Sequence, residues 1–223
     1  MSETDLDIEE IRARLLEAAL PHAAFDGWTE QTLRRAVADA GLAPIDAYRA
    51  FPGGADDLLD FFLDDADRQM VSGMLDLDLE NMRIRDKIAS GIRIRLENAA
   101  PHKEAVRRGL NHLGLPHHAP AAMRSLYRTV DLMWRAIGDT STDFNFYTKR
   151  TLLGGVYAST LLYWLNDRSE DHADTWAFLD RRIGNVMQIE KAKARFLGAG
   201  SKLPDPFRIG QRLASRTRRP FRT

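Results

Sequence analysis

Apolar positions recur at intervals of three and four along nearly the whole chain, the spacing that gathers side chains on one face of an α-helix. Between Pro120 and Gly138 the set is Met123, Leu126, Tyr127, Val130, Met133, Trp134 and Ile137. Ile84, Ile88, Ile92 and Leu96 form a second stripe that stops at Pro101, and Val106, Leu110 and Leu113 form a third, closed by Gly114 and Pro116. Trp176, Leu179, Ile183, Val186 and Met187 mark a further helix. With no convincing alternating stretch bounded by turns, the predicted fold class is all-α.

The most apolar run, Thr151 to Leu165, is flanked by Lys149 and Arg150 on one side and by Asp167 and Arg168 on the other. It falls short of the roughly 20 residues that span a bilayer. Because it is apolar on nearly every face, it is expected to be a central helix surrounded by others. Gly154 and Gly155 in its middle each cost about 1 kcal/mol against alanine. Either close helix packing or a ligand lying against the backbone would account for them.

Composition sets the bounds. With 223 residues, 44% of them hydrophobic, the chain can bury a full core in one domain or in one domain with a small addition. It has no cysteine, which rules out disulfides, thiolate metal sites and a cysteine nucleophile, and fits a reducing cytoplasm. The first ten residues are acidic and carry neither a secretory nor a transit-peptide pattern, so a cytoplasmic location is expected. A net charge of zero conceals an asymmetry: residues 1 to 80 hold six arginines against nineteen carboxylates, a balance of −13, which leaves +13 on the remainder. The front half should avoid polyanions, whereas the rear half can approach an anionic surface.

The segment from Ile11 to Phe62 resembles the helix-turn-helix domain of TetR-family regulators. The matching residues are Ile11, Leu15, Ala18 and Ala19, then Gly27, Leu33 and Ala36, the turn at Ala40, Gly41 and Leu42, Tyr48 and Phe51, and the helix start at Asp57, Leu58 and Leu59. Gly41 suits the tight turn, and Tyr48 and Phe51 are expected to face back and fix the short third helix. DNA affinity requires lysine and arginine at the phosphates. From Pro44 to Phe62, however, Arg49 stands against Asp46, Asp56, Asp57 and Asp60. The scaffold is therefore expected to persist without DNA binding. Three regions follow: 1–65, helix-turn-helix-like; 66–199, a helical ligand domain; and 200–223, a basic tail.

The run from Ser141 to Ile183, together with this front end, resembles the ubiquinone-biosynthesis accessory proteins of the Coq-nine family. The pattern is Asp143, Phe146, Tyr147, Thr148, Lys149 and Arg150, then Tyr157, then Asp174, Thr175, Trp176, Phe178 and Leu179. The resemblance implies a TetR-like fold without DNA binding, an apolar pocket for an isoprenoid lipid or ubiquinone precursor, and a surface that engages the di-iron demethoxyubiquinone hydroxylase. Carried over residue by residue, the partner-facing patch falls on Asp143, Phe146, Tyr147 and Arg150, with Phe146 where eukaryotic relatives are expected to have tryptophan. The bland reading is that Phe146 and Tyr147 simply begin the central helix and pack inside. Candidate pocket linings are Met123, Leu126, Val130, Trp134, Leu153, Val156, Tyr157, Leu161 and Trp164, any of which can equally be plain core. A homodimer follows from the fold analogy.

From Ser201 onward seven basic residues face one acid, with apolar residues interspersed. Phe207, Ile209, Arg212 and Leu213 suit an amphipathic segment at an anionic membrane, which would make the protein peripheral at the inner face. The alternative is a disordered solubilising tail.

Catalytic motifs are missing. No glutamate has a histidine three residues later, as a di-iron site requires, and no phosphate loop, nucleophile elbow or dinucleotide fingerprint is present. His117 and His118 sit between Pro116 and Pro120 in an expected loop, without the supporting carboxylates of a metal site, and His112 and His22 read as helix-end or surface residues. The expectation is a non-catalytic, lipid-presenting accessory protein without cofactor or metal. Its rivals are a ligand-responsive TetR-family transcriptional regulator and an enzyme with an unfamiliar motif.

Overall fold

The computed structural model describes residues 7–140 and 144–200, with side chains described over 7–140 and 146–188. All regular structure among the described residues is helical. The chain forms two compact units, Met1–Arg181 and Arg182–Thr223.

The first unit begins with α1 (Ile8–Asp26), α2 (Glu30–Asp39) and α3 (Pro44–Ala50). α1 buries Ile11, Leu15, Leu16, Ala19 and Ala23 and ends at Gly27, whose positive φ of 74° lets its N–H reach the Ala23 carbonyl. Thr29 caps α2 by accepting a hydrogen bond from the Thr32 N–H at 3.2 Å. Gly41, with φ 64°, turns the chain into α3. Phe51 is buried as expected, but Tyr48 is 67% exposed. The third helix is therefore fixed by Ala47, Ala50 and Phe51, with the Ala50 carbonyl accepting from Arg12 of α1.

α4 (Ala55–Leu75), α5 (Ile84–Ala99), α6 (Lys103–Leu113), α7 (Ala119–Ala136), α8 (Phe144–Asn166) and the start of α9 (Ala173–Gly200) complete the unit. Trp28 joins the front end to the rest: it stacks on Phe62 of α4 and donates its indole N–H to the Ala105 carbonyl of α6 at 3.0 Å. Ile88, Ile92 and Leu96 are buried as the α5 stripe predicts, while Ile84 at its start is exposed. α7 buries Val130 and Met133 but turns Met123 and Tyr127 outward.

Asp167 holds the turn between α8 and α9. One of its oxygens accepts the Ser169 N–H and hydroxyl, and the other accepts the Thr175 N–H at 2.9 Å and the Thr175 hydroxyl. Burial alone would raise this carboxyl, but the bonds from Thr175 and Ser169 outweigh it and hold it well below the usual carboxylate range. Since the folded value lies below the ordinary 3.8, the stabilisation is complete above that pH and is lost as pH falls below it. Asp167→Asn should cost about 1.5–3 kcal/mol at neutral pH. Urea unfolding from pH 7 down into the acid range should show the gap to the parent narrowing below pH 4, roughly where an unfolded Asp protonates.

The second unit continues α9 as helix to Gly200. Phe207, Ile209, Arg212 and Leu213 lie outside the described residues.

Candidate functional site

Four helices meet around a buried polar cluster. Asp67 of α4, fully buried, accepts from Arg95 Nε of α5 at 3.0 Å and from the Thr129 hydroxyl of α7 at 2.9 Å. Its second oxygen accepts from Arg128 Nε at 3.2 Å. Arg128 also reaches Asp60 on α4, and Arg95 reaches the Leu63 carbonyl. Tyr157 of α8 lies beside Arg95; burial pushes its phenol up, and the guanidinium pulls part of the way back. A charge this deep persists because each carboxylate oxygen has partners.

The apolar wall around the cluster includes Leu59, Phe62, Leu96, Val106, Tyr157 and Leu161. The space they leave is about 30 Å³, room for about one water and far below the ~300–1,000 Å³ of ordinary ligand pockets. Of the nine proposed pocket residues, Val130, Leu153, Val156, Tyr157, Leu161 and Trp164 are buried together in this interior, Leu126 and Trp134 are partly covered, and Met123 is 64% exposed. The six buried residues lie within the helical core, and Tyr157 and Leu161 border the small space described above.

α8 resolves the question of its two glycines. A Cβ at Gly154 would make only an ordinary contact with Leu126, at 3.8 Å, and a Cβ at Gly155 would meet nothing within 4 Å. Neither glycine is demanded by packing among the described residues. Gly155 instead lies on an open face with Tyr147, Thr151 and Leu162, all exposed and spaced along one side of the helix. Ser159 falls within this run but donates its hydroxyl back to the Gly155 and Val156 carbonyls, which lowers the polarity of the face. At its far end an open depression of about 520 Å³ is lined by Leu162, Tyr163 and Phe178, with Asp167, Arg168 and Asp174 at its polar side. Tyr163 stacks on Phe178 there, centroids 4.5 Å apart.

The proposed partner patch divides in two. Tyr147 is 65% exposed and meets Phe146 edge-on. Arg150 is 3% exposed: its Nε donates to Asp131 of α7 at 2.6 Å, its Nη1 donates to Asp139 at 3.3 Å, and the guanidinium lies over the Phe146 ring. Lys149 donates to Asp139 as well. Arg150 thus locks the start of α8 to the end of α7, while Tyr147 faces outward. Asp143 lies outside the described residues.

The segment carrying this arrangement is the one that known proteins share. The COQ9 family model matches residues 119–190. The mitochondrial ubiquinone biosynthesis protein COQ9 of Rattus norvegicus is 31% identical over 205 residues, covering 87% of this chain and 64% of the relative. COQ9 of Homo sapiens is 30% identical over the same length, covering 87% and 63%. COQ9 of Drosophila melanogaster is 32% identical over 187 residues, covering 82% and 57%. The chain is thus similar to COQ9 proteins over most of its length. It spans somewhat under two thirds of the length of these relatives. α7, α8, the Arg150 cluster and the first part of α9 fall within the matched region, whereas the helix-turn-helix-like α1 to α3 and the start of α4 precede it.

A TetR transcriptional regulator from Nitrosomonas europaea superposes with a TM-score of 0.63 at 23% identity, covering 78% of this chain and 96% of that one. The chain thus has a TetR-like all-α fold. Among the described residues no helix is long and apolar enough to cross a membrane.

One grouping escaped the sequence reading. The fold brings Asp56, at the start of α4, against His112 and His118. The carboxylate judged absent around these histidines is supplied from 56 residues away, by helix packing that no local pattern announces.

Proposed function

We propose that the chain is a non-catalytic accessory protein of ubiquinone biosynthesis that presents an isoprenoid quinone precursor to the di-iron hydroxylase. The observation that carries this reading is the identity of about 30% with proteins named for ubiquinone biosynthesis, over more than four fifths of the chain.

The packed interior favours a particular form of it. With about 30 Å³ left between Leu59, Leu96, Tyr157 and Leu161, the prenyl chain lies along the open α8 face and its 520 Å³ depression, covered by the partner or a second copy. An apolar tail left in water costs about 0.8 kcal/mol per methylene, so such a face gains from being closed. Exposed Tyr147 suits an interface anchor, because a tyrosine offers a large apolar body with a polar tip. The basic tail supplies contact with an anionic membrane.

Native purification followed by mass spectrometry of extracted lipid, with co-purification of the hydroxylase, tests the reading. Tyr147→Ala combined with Leu162→Ser should keep helicity and lower hydroxylase recovery by about tenfold, equivalent to the loss of one anchor of roughly 1.4 kcal/mol. No isoprenoid on the parent protein, together with unchanged quinone synthesis in the double variant, would refute it.

The regulator reading draws on the TetR-like superposition. Against it, α3 offers DNA the exposed Ile45, Tyr48 and Arg49, with α4 opening on Asp56 and Asp57. Salt-dependent binding of duplex DNA would be its signature.

A further inference from the structure

Two segments distant in sequence, the start of α4 and the connection from α6 to α7, place nitrogen and carboxylate donors around one point. Asp56 is the second residue of α4, His112 lies in the last turn of α6, and His118 ends the short 3₁₀ turn Pro116–His118 that leads into α7. His112 Nε2 is 2.7 Å from Asp56 Oδ1, His118 Nδ1 is 3.9 Å from Asp56 Oδ2, and one ligand atom from each of the three residues falls within 4.8 Å of the others.

This differs from an ordinary surface ion pair in several ways. A separation of 3.9 Å is too long for a hydrogen bond, so His118 points at the carboxylate without being satisfied by it. The two imidazoles stack with centroids 4.2 Å apart, which sets their nitrogens side by side at the carboxylate. Their side chains are only 23% and 15% exposed, while Asp56 remains open to solvent, which leaves a route of entry. Asp57 and Asp60 line the same hollow of about 410 Å³ and make it attractive to a cation, offset in part by Arg124 on its wall.

We propose that Asp56, His112 and His118 form a binding site for a borderline divalent transition metal such as Zn²⁺ or Ni²⁺. Imidazole nitrogens select this class over Mg²⁺ and Ca²⁺, which demand oxygen ligands. Bonds of ~2.0–2.2 Å to a tetrahedral ion set the donor atoms roughly 3.3 Å apart. One donor atom from each residue already lies within 4.8 Å of the other two, and side-chain rotations close the difference. Three protein ligands leave the remaining positions to solvent. The ion ties the start of α4 to the end of α6 and the entry of α7, and so fixes the helix-turn-helix-like front end against the body of the unit.

The test uses untagged full-length protein stripped with chelator. Calorimetric titration with Zn²⁺ and the visible absorption of added Co²⁺ should report one ion per chain, and the melting temperature should climb with Zn²⁺ concentration but not with Mg²⁺. His112→Gln and His118→Gln should each weaken binding by at least about tenfold, the smaller loss seen when even an outer partner of a metal ligand is removed. His22→Ala, which leaves the cluster intact, should bind as the parent does. The double glutamine variant keeps side-chain volume, and circular dichroism confirms that it is folded. An absence of Zn²⁺ heat and Co²⁺ absorption in the parent, or equal affinity in the folded double variant, overturns the proposal.

Discussion

Arg95→Ala is expected to lower the unfolding free energy by about 3–5 kcal/mol, the range found when one partner of a buried ion pair is removed. The loss comes less from the missing attraction than from what remains: Asp67, with no exposure to solvent, keeps only Thr129 and Arg128 as partners for its charge. Chemical denaturation by urea, read by far-UV circular dichroism, measures it. Asp67→Ala should cost a similar amount by stranding Arg95. Replacing both with apolar residues of matching size, Asp67→Leu with Arg95→Met, should recover most of the stability, because the desolvation cost disappears along with the attraction. A double variant as unstable as either single one would mean that packing, and not charge, dominates this cluster.

A comparable effect is expected at the opposite end of α7. Arg150→Ala leaves Asp131 and Asp139, both largely buried, without the guanidinium that bridges them, and uncovers the Phe146 ring. A loss of about 3–5 kcal/mol follows by the same reasoning, moderated by Lys149 on Asp139 and Arg135 on Asp131. Arg150→Lys should restore little of it, since one ammonium cannot reproduce two separate N–H directions. Loss of hydroxylase recovery in Arg150→Ala would thus follow unfolding of the α8 start, whereas Tyr147→Ala should reduce recovery with stability intact. Measuring both quantities in both variants separates a positional role from a contact role.

The helical class was legible from the three-and-four spacing, and most of the core followed from it: Val130, Met133, Ile92, Leu96, Leu179 and Trp164 are buried where the pattern places them. The regulator-like front end was legible from Gly27, Gly41 and Phe51, whose conformational or packing roles are local. Less followed at the ends of each stripe. Ile84, Met123 and Tyr127 share their helices' apolar periodicity yet lie at the margin, where no neighbour covers them. Tyr48 faces out for the same reason. Arg150 looked like a surface charge next to an aromatic pair, and the signal that could have located it was the pairing of Asp131 and Asp139 just upstream, which supplies two carboxylates to one guanidinium.

What the sequence alone determined is what depends on neighbours along the chain: helix content, the capping and turning glycines, the acidic character of α3 and α4, and the family to which residues 119–190 point. Tertiary structure decided what depends on helix crossings: the burial of the Asp67–Arg95 pair among four helices, an outward face on α8 with Gly155 at its middle, and the meeting of Asp56 with His112 and His118. A hydrophobic period specifies which face of a helix turns inward, but not the distance or register at which another helix meets it. Cavity volume and distant side-chain contacts are set by that register.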